Sequence, residues 1–248
     1  MFRTSSKHFV GYTPRQTLNQ RKFGLLFFFL LAYLVLYPWT QNAGLRYTGL
    51  RVFGIVVTLF SVYAVSFRRT FVLFALVLAV PALIQRIGLP KGDAGALSIL
   101  SVILTFAFDV FIVVVIFRRV FVKEETTTEA IFGALCIYLL LGFSFAGLYS
   151  MLATLQPGAF YLDPAVNLHS VADRFDLIYY SFGTMTSLGA AGITPVSDQA
   201  RSLSVIEALL GVLYLAVLIS RLMSAYQNRR ATSARTTVEE ALQGPRDD

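Results

Sequence analysis

The stretch Thr184-Met185-Thr186-Ser187-Leu188-Gly189-Ala190-Ala191-Gly192-Ile193-Thr194-Pro195 is equipped to do chemistry with its backbone rather than its side chains. The small residues Leu188-Gly189-Ala190-Ala191-Gly192 let the main chain approach whatever stands in front of it. The apolar, hydroxyl-rich run 176–188 leading into it is too short to span a bilayer, which takes about 20 apolar residues. It is expected to dip in and return. Backbone away from a helix is tolerated at membrane depth only where protein or a water-filled cavity covers it, and a cavity lined by carbonyls is a cation site. Two acids stand in apolar surroundings as well. Asp109 is the one ionisable residue between Ala96 and Phe117, and Glu207 lies inside the last apolar run. A carboxylate inside a membrane run is a functional-site hypothesis by default. Asp109 has two readings, a structural partner of Arg51 or Arg86, or a gating or proton-sensing group.

Other chemistries find little here. A single Cys136 sits in an apolar run, His8 in an N-terminal arm and His169 in a loop. No cluster of His, Cys and carboxylate offers a metal centre or a catalytic triad, so the chain is not expected to be an enzyme or to hold a cofactor. Of 248 residues 56% are hydrophobic and 14% charged, against about 25% charged in soluble proteins, and the mean hydropathy is +0.66. These values predict an integral membrane protein.

The elements that must position these groups follow from the apolar runs. Residues 1–22 form a basic arm with Arg3, Lys7, Arg15, Arg21, Lys22 and no acid. Gly24 to Tyr37 reads as a first transmembrane helix, because Tyr37-Pro38-Trp39 is no signal-peptide cleavage site. Further runs are 47–67, closed by Arg68-Arg69, 71–84, which contains Pro81, and 96–117, closed by Arg118-Arg119. Thr126 and Glu129 have capping-box spacing, predicting a helix from about 127 to 155. Pro157, Gly158 and Pro164 mark a loop at 156–174. Residues 201–226 form the last helix, at roughly 1.5 Å per residue long enough to cross and protrude, and a short polar tail follows.

Six crossings with a cytoplasmic N-terminus place 15 of the 21 basic residues inside and six (Arg46, Arg51, Arg86, Lys91, Arg174, Arg201) near the opposite face. The topology closes with both ends cytoplasmic in a cell membrane. This bias accounts for the net charge of +7, so no nucleic-acid partner is expected, while clustered basic residues beside the helices can touch anionic membrane lipid.

The segment 184–195 resembles the filter of potassium channels, roughly T-x-T-T-V-G-Y-G-D-x-x-P, and aligns with it without a gap. Thr186, Gly189 and Pro195 match, Ser187 stands for Thr and Leu188 for Val, while Ala190, Ala191 and Gly192 replace Tyr, Gly and Asp. The order of four runs, then helix, pore loop and helix, is similar to that of six-transmembrane pore-loop channels over about residues 23–228. The resemblance implies an all-α membrane protein with a re-entrant pore helix and filter loop between the fifth and sixth helices. It divides the chain into the arm 1–22, a four-helix peripheral domain 23–120, a pore domain 121–228 and a tail 229–248. It implies an ion path at Thr186, Ser187, Leu188, Gly189, Ala190, Ala191 and Gly192, with a monovalent cation such as potassium at the carbonyls and no other metal. Gly211 falls on the family's inner-helix hinge, or merely permits close packing. Glu207 falls where an acid braces the pore helix from behind, or lines the path. No arginine repeats along 96–117, so no voltage sensor of the family's kind is expected.

The departures carry expectations of their own. Ala191 bears a Cβ where left-handed backbone would cost roughly 1–2 kcal/mol, and Ala190 and Gly192 remove an aromatic spacer and a mouth acid, predicting a looser outer mouth. The combined change Ala190→Tyr, Ala191→Gly, Gly192→Asp is then expected to restore an ordered carbonyl column. Three readings stay open: a homotetrameric, potassium-channel-like cation channel; a channel-like subunit that no longer conducts; and a secondary transporter, for which a second broken segment in the first half is missing.

Overall fold

The computed structural model describes residues 22–36, 45–64, 69–87, 96–122, 128–167 and 170–243. Among them are seven helices and one two-stranded ribbon: α1 (Lys22–Leu36), α2 (Leu45–Ala64), α3 (Arg69–Ile87), α4 (Ala96–Val122), α5 (Thr128–Leu155), β1 (Phe160–Leu162), α6 (Arg174–Met185), β2 (Ile193–Pro195) and α7 (Asp198–Gln243). Each apolar run of the sequence is a helix, because apolar stretches of this length leave no other way to satisfy their backbone. Four hydroxyls within them are satisfied locally. Thr58, Ser61, Ser144 and Ser150 each donate to the carbonyl four residues back, at 2.7–2.9 Å.

The helices α1 to α4 pack in sequence, α1 on α2, α2 on α3 and α3 on α4, and both ends of this row close on α5. Helix α5 is therefore the hub, touching α1, α4, α6 and α7. Its first half enters a core with Phe23, Leu26, Leu30, Phe108, Ile112 and Ile116, to which α7 adds Tyr214 and Leu218. Its second half enters another core with Tyr149, Phe160, Leu177, Tyr180 and Ile193 around α6 and the ribbon. The Tyr214 hydroxyl donates to the Ala134 carbonyl at 2.6 Å, fixing α7 to α5.

Two helices are long and apolar enough to cross a membrane among the described residues, 130–155 and 198–224, with 56% and 22% of their most apolar windows buried. The difference decides what α7 lacks. Its buried positions among the described side chains are Ala200, Glu207, Gly211, Tyr214 and Leu218, a single stripe. Val205, Ile206, Leu209, Leu210, Val212, Leu213, Val217 and Ile219 are all exposed around it.

Three expectations change. The last helix does not stop near 226 but continues through Gln243, so the tail is helical; nothing in Gln227–Gln243 breaks a helix, since it holds neither Gly nor Pro. Lys22, counted with the basic arm, is the first residue of α1, buried, with its Nζ 4.7 Å from the centre of the Tyr63 ring, a cation–π contact that keeps the ammonium at a helix end. The fourth helix extends past Phe117 to Val122 and carries Arg118 and Arg119 in its last turns. Residues 1–21 of the arm, and the Thr126 and Glu129 side chains of the capping box, lie outside the described residues.

Candidate ion-channel pore

Helix α6, the expected pore helix, starts on a capping box that sequence reading passed over. The Asp173 side chain accepts from the backbone N–H groups of Phe175 and Asp176 at 2.7 and 2.9 Å, and Asp176 accepts from the Asp173 N–H at 2.8 Å. An acid three residues after an Asp carried this signal. Twelve residues later α6 ends, wedged between α5 and α7. Phe182 meets Phe143 of α5 edge-on at 5.3 Å, and the Tyr180 hydroxyl lies 2.6 Å from Ser204 Oγ of α7.

Glu207 joins all three helices of this unit. Fully buried on α7, it accepts from the Tyr149 hydroxyl of α5 at 2.6 Å through Oε2 and from Ser181 Oγ of α6 at 2.5 Å through Oε1. Ser181 Oγ is also 2.7 Å from the Gly142 carbonyl of α5. The carboxylate stands between α5, α6 and α7, enclosed by protein. Tyr149 stacks edge-on against both Phe160 and Tyr180, so the donor is held among rings that have little freedom of their own.

Gly211 lies one turn further along the same stripe, where α7 touches the C-terminal end of α6. A Cβ built there would stand 2.3 Å from the Met185 carbonyl oxygen and 2.6 Å from Met185 Cγ. Of the two readings weighed for this glycine, close packing is the one with a contact behind it. The helix runs unbroken through the position.

After Met185 the chain does not extend at once. Thr186 caps α6, with its N–H and its hydroxyl both on the Phe182 carbonyl at 3.0 and 2.7 Å. Ser187 then takes a left-handed φ of 59° and donates its N–H to the Thr184 carbonyl at 3.1 Å, and the Gly189 N–H reaches back to the Gly183 carbonyl at 3.0 Å. This is a helix C-terminal turn of the kind that usually places glycine in the left-handed position. The strain expected at Ala191 therefore falls on Ser187 instead. The described positive-φ residues of the loop are Ser187, Gly189 and Gly192, and Ala191 is not among them. Leu188 follows at 81% exposure in the single chain, with Thr186, Ser187, Gly189 and Ala191 also exposed and Ala190 half-buried.

The outer mouth is tied down, against the looser mouth expected from the sequence. Residues 190–193 form a turn closed by the Ile193 N–H on the Ala190 carbonyl at 3.2 Å, with Gly192 at φ 80° in the third position, which such turns give to glycine. β2 then pairs antiparallel with β1, Phe160 opposite Pro195 and Leu162 opposite Ile193. The Gly192 carbonyl accepts from the Asp163 N–H at 2.8 Å and from Asn167 Nδ2 at 2.9 Å. These two bonds turn that carbonyl toward the loop before α6, which leaves Thr186–Ala191 as the candidate path.

The same contacts overturn the restoring substitution. A Cβ on Gly192 would lie 2.2 Å from Val166 Cγ2 and 2.6 Å from Asn167 Nδ2, in a backbone conformation that already disfavours side chains. The change Ala190→Tyr, Ala191→Gly, Gly192→Asp is now expected to lower the melting temperature of the purified protein below that of Ala190→Tyr, Ala191→Gly. Equal melting temperatures would show that the loop over Gly192 yields.

Asp109 sits half-buried on α4 beside the buried Phe108, distant in sequence from the α5–α7 unit but on a helix that packs against α5. The side chains of its two candidate partners, Arg51 and Arg86, lie outside the described residues.

A family model described as an ion channel matches residues 136–228, the span from the middle of α5 through α6 and the filter loop into α7. The matched residues support an ion channel of the pore-loop type, and the match together with the two membrane-capable helices supports a membrane protein. No curated protein matches the chain.

Proposed function

We propose that the protein is a homotetrameric, potassium-channel-like channel that conducts monovalent cations along Thr186–Ala191, without an arginine voltage sensor. In this reading α1 to α5 and α7 cross the cell membrane, the ends are cytoplasmic, and α6 with its loop is re-entrant. Glu207 braces the pore helix, and Gly211 seats α7 against it. The observation that supports this most is the bare apolar surface of α7. One pore loop cannot enclose an ion path, closed cyclic symmetry is how identical chains make a ring, and a membrane-capable helix buried on one stripe leaves its remaining faces for its copies and for lipid. Exposed Ala216 and Ser220 allow close approach there. The C-terminal end of α6, with about half a negative charge from its helix dipole, carries Thr186 and Ser187 and favours a cation in front of it.

Assembly is the first thing to measure. Light scattering of the detergent-solubilised protein is expected to give four times the 27.5 kDa chain mass, and a monomeric or dimeric particle would contradict the proposal. A second reading, a channel-like subunit that no longer conducts, has one observation in its favour: the Gly189–Gly183 hydrogen bond folds the loop back onto α6 instead of extending it as a carbonyl column.

A further inference from the structure

We propose that Asn167 is a positioning residue for the ion path, its carboxamide holding the outer end of the filter loop from the α5–α6 loop; this rests on the conducting-channel reading above. The carboxamide nitrogen has two hydrogens and two carbonyls to receive them, Gly192 at 2.9 Å and Asp163 at 3.0 Å. It therefore bridges the loop before α6 to the turn after the filter. Asp163 shapes that bridge: its carbonyl also accepts the Val166 and Asn167 N–H groups at 3.2 and 3.0 Å, and its Oδ1 accepts the Ala165 N–H at 2.9 Å. Asn167 is thus presented by a tight turn of its own, half-buried over Gly192.

What the bridge controls follows from where it ends. The Gly192 carbonyl closes the segment whose remaining carbonyls, at Thr186 to Ala191, form the candidate path. At the other end that segment is fixed by the cap on α6 and by the Gly189–Gly183 bond. The inner anchor is also reached by a distant side chain, the Tyr138 hydroxyl 3.5 Å from the Met185 carbonyl, but that residue belongs to the packed face of α5; at the outer anchor a single side-chain change can release the path without touching α5, α6, α7 or the brace at Glu207. Freed from Asn167, the 190–193 turn keeps the Asp163 N–H bond and the Ile193 N–H bond to the Ala190 carbonyl but loses the second donor at Gly192, and the Ala191 carbonyl beside it is held less firmly.

The test compares Asn167→Ala, which removes the donor, with Asn167→Asp, which keeps the shape and turns an oxygen toward two carbonyl oxygens. Purified full-length proteins are recorded singly in planar bilayers in potassium salt, and the melting temperature of the solubilised oligomer is taken for each. Mean open-burst duration is expected to fall about fivefold in Asn167→Ala, the worth of one hydrogen bond, and tenfold or more in Asn167→Asp, with the potassium–sodium reversal potential shifted in both. A role confined to packing gives the reverse order, with Asn167→Asp equal to the parent, and that result overturns the proposal. So does a fall in melting temperature and channel number with unchanged bursts and reversal potential. If Asn167→Asp does not assemble, Asn167→Ala decides alone by the same readouts. A parent that passes no current removes the channel reading and this proposal with it; a conducting parent matched by both variants removes this proposal only.

Discussion

Glu207→Ala is expected to lower the stability of the assembled protein by about 2 to 4 kcal/mol, while Glu207→Gln stays within about 1 kcal/mol of the parent. Alanine removes the acceptor of two buried hydroxyls, Tyr149 and Ser181, at about 1–3 kcal/mol for a buried polar group left unmade. It also opens a cavity between α5, α6 and α7, which adds to the loss. Glutamine keeps one oxygen for Tyr149 and brings an N–H toward Ser181 Oγ. That hydrogen is useful, since Ser181 has one hydroxyl proton and two oxygens within 2.7 Å, Oε1 of Glu207 and the Gly142 carbonyl. Thermal melting of the two variants checks the pair. An alanine variant as stable as the parent would remove the brace from the account, and a glutamine variant as weak as alanine would show that full charge is required.

Gly211→Ala is the second large effect, at about 1–3 kcal/mol of overpacking. Met185 Cγ can swing aside, but the Met185 carbonyl belongs to the last turn of α6 and cannot move without moving Thr186 behind it. The variant is therefore expected to lose melting temperature and ion flux together, because α7 and the filter loop share this contact. A hinge predicts a different pattern, in which stability is kept and only the fraction of time open changes. Flux and melting measured on one preparation separate the two.

How much of this was legible beforehand depended on range. Apolar runs announced α1 to α5 to within a few residues, since a membrane-length apolar run permits little else. Helix α6 and the loop after it were legible from the short run at 176–188, which is too short to cross a membrane. Glu207 and Gly211 were legible as positions, because both fall on one stripe of a helix already assigned. What they touch was not, since Tyr149 is 58 residues from Glu207 and no local pattern marks that pairing. The clamp over Gly192 escaped for the same reason, being built from Asp163 and Asn167 in a loop that reads as turn chemistry alone. Ser187 gave no warning at all. A left-handed C-terminal turn is signalled by glycine, and a serine there looks like the second hydroxyl of a filter. The helical continuation to Gln243 was missed because polarity was taken as the end of the helix, although polarity marks only the end of the apolar face.

Planar-bilayer recording of the purified protein with potassium salt on one side and sodium salt on the other tests the central claim most directly. The account predicts unitary currents whose reversal potential moves with the cation gradient and not with the anion, and whose open probability has no steep voltage dependence. Assembled, folded protein that passes no cation current under these conditions would contradict it.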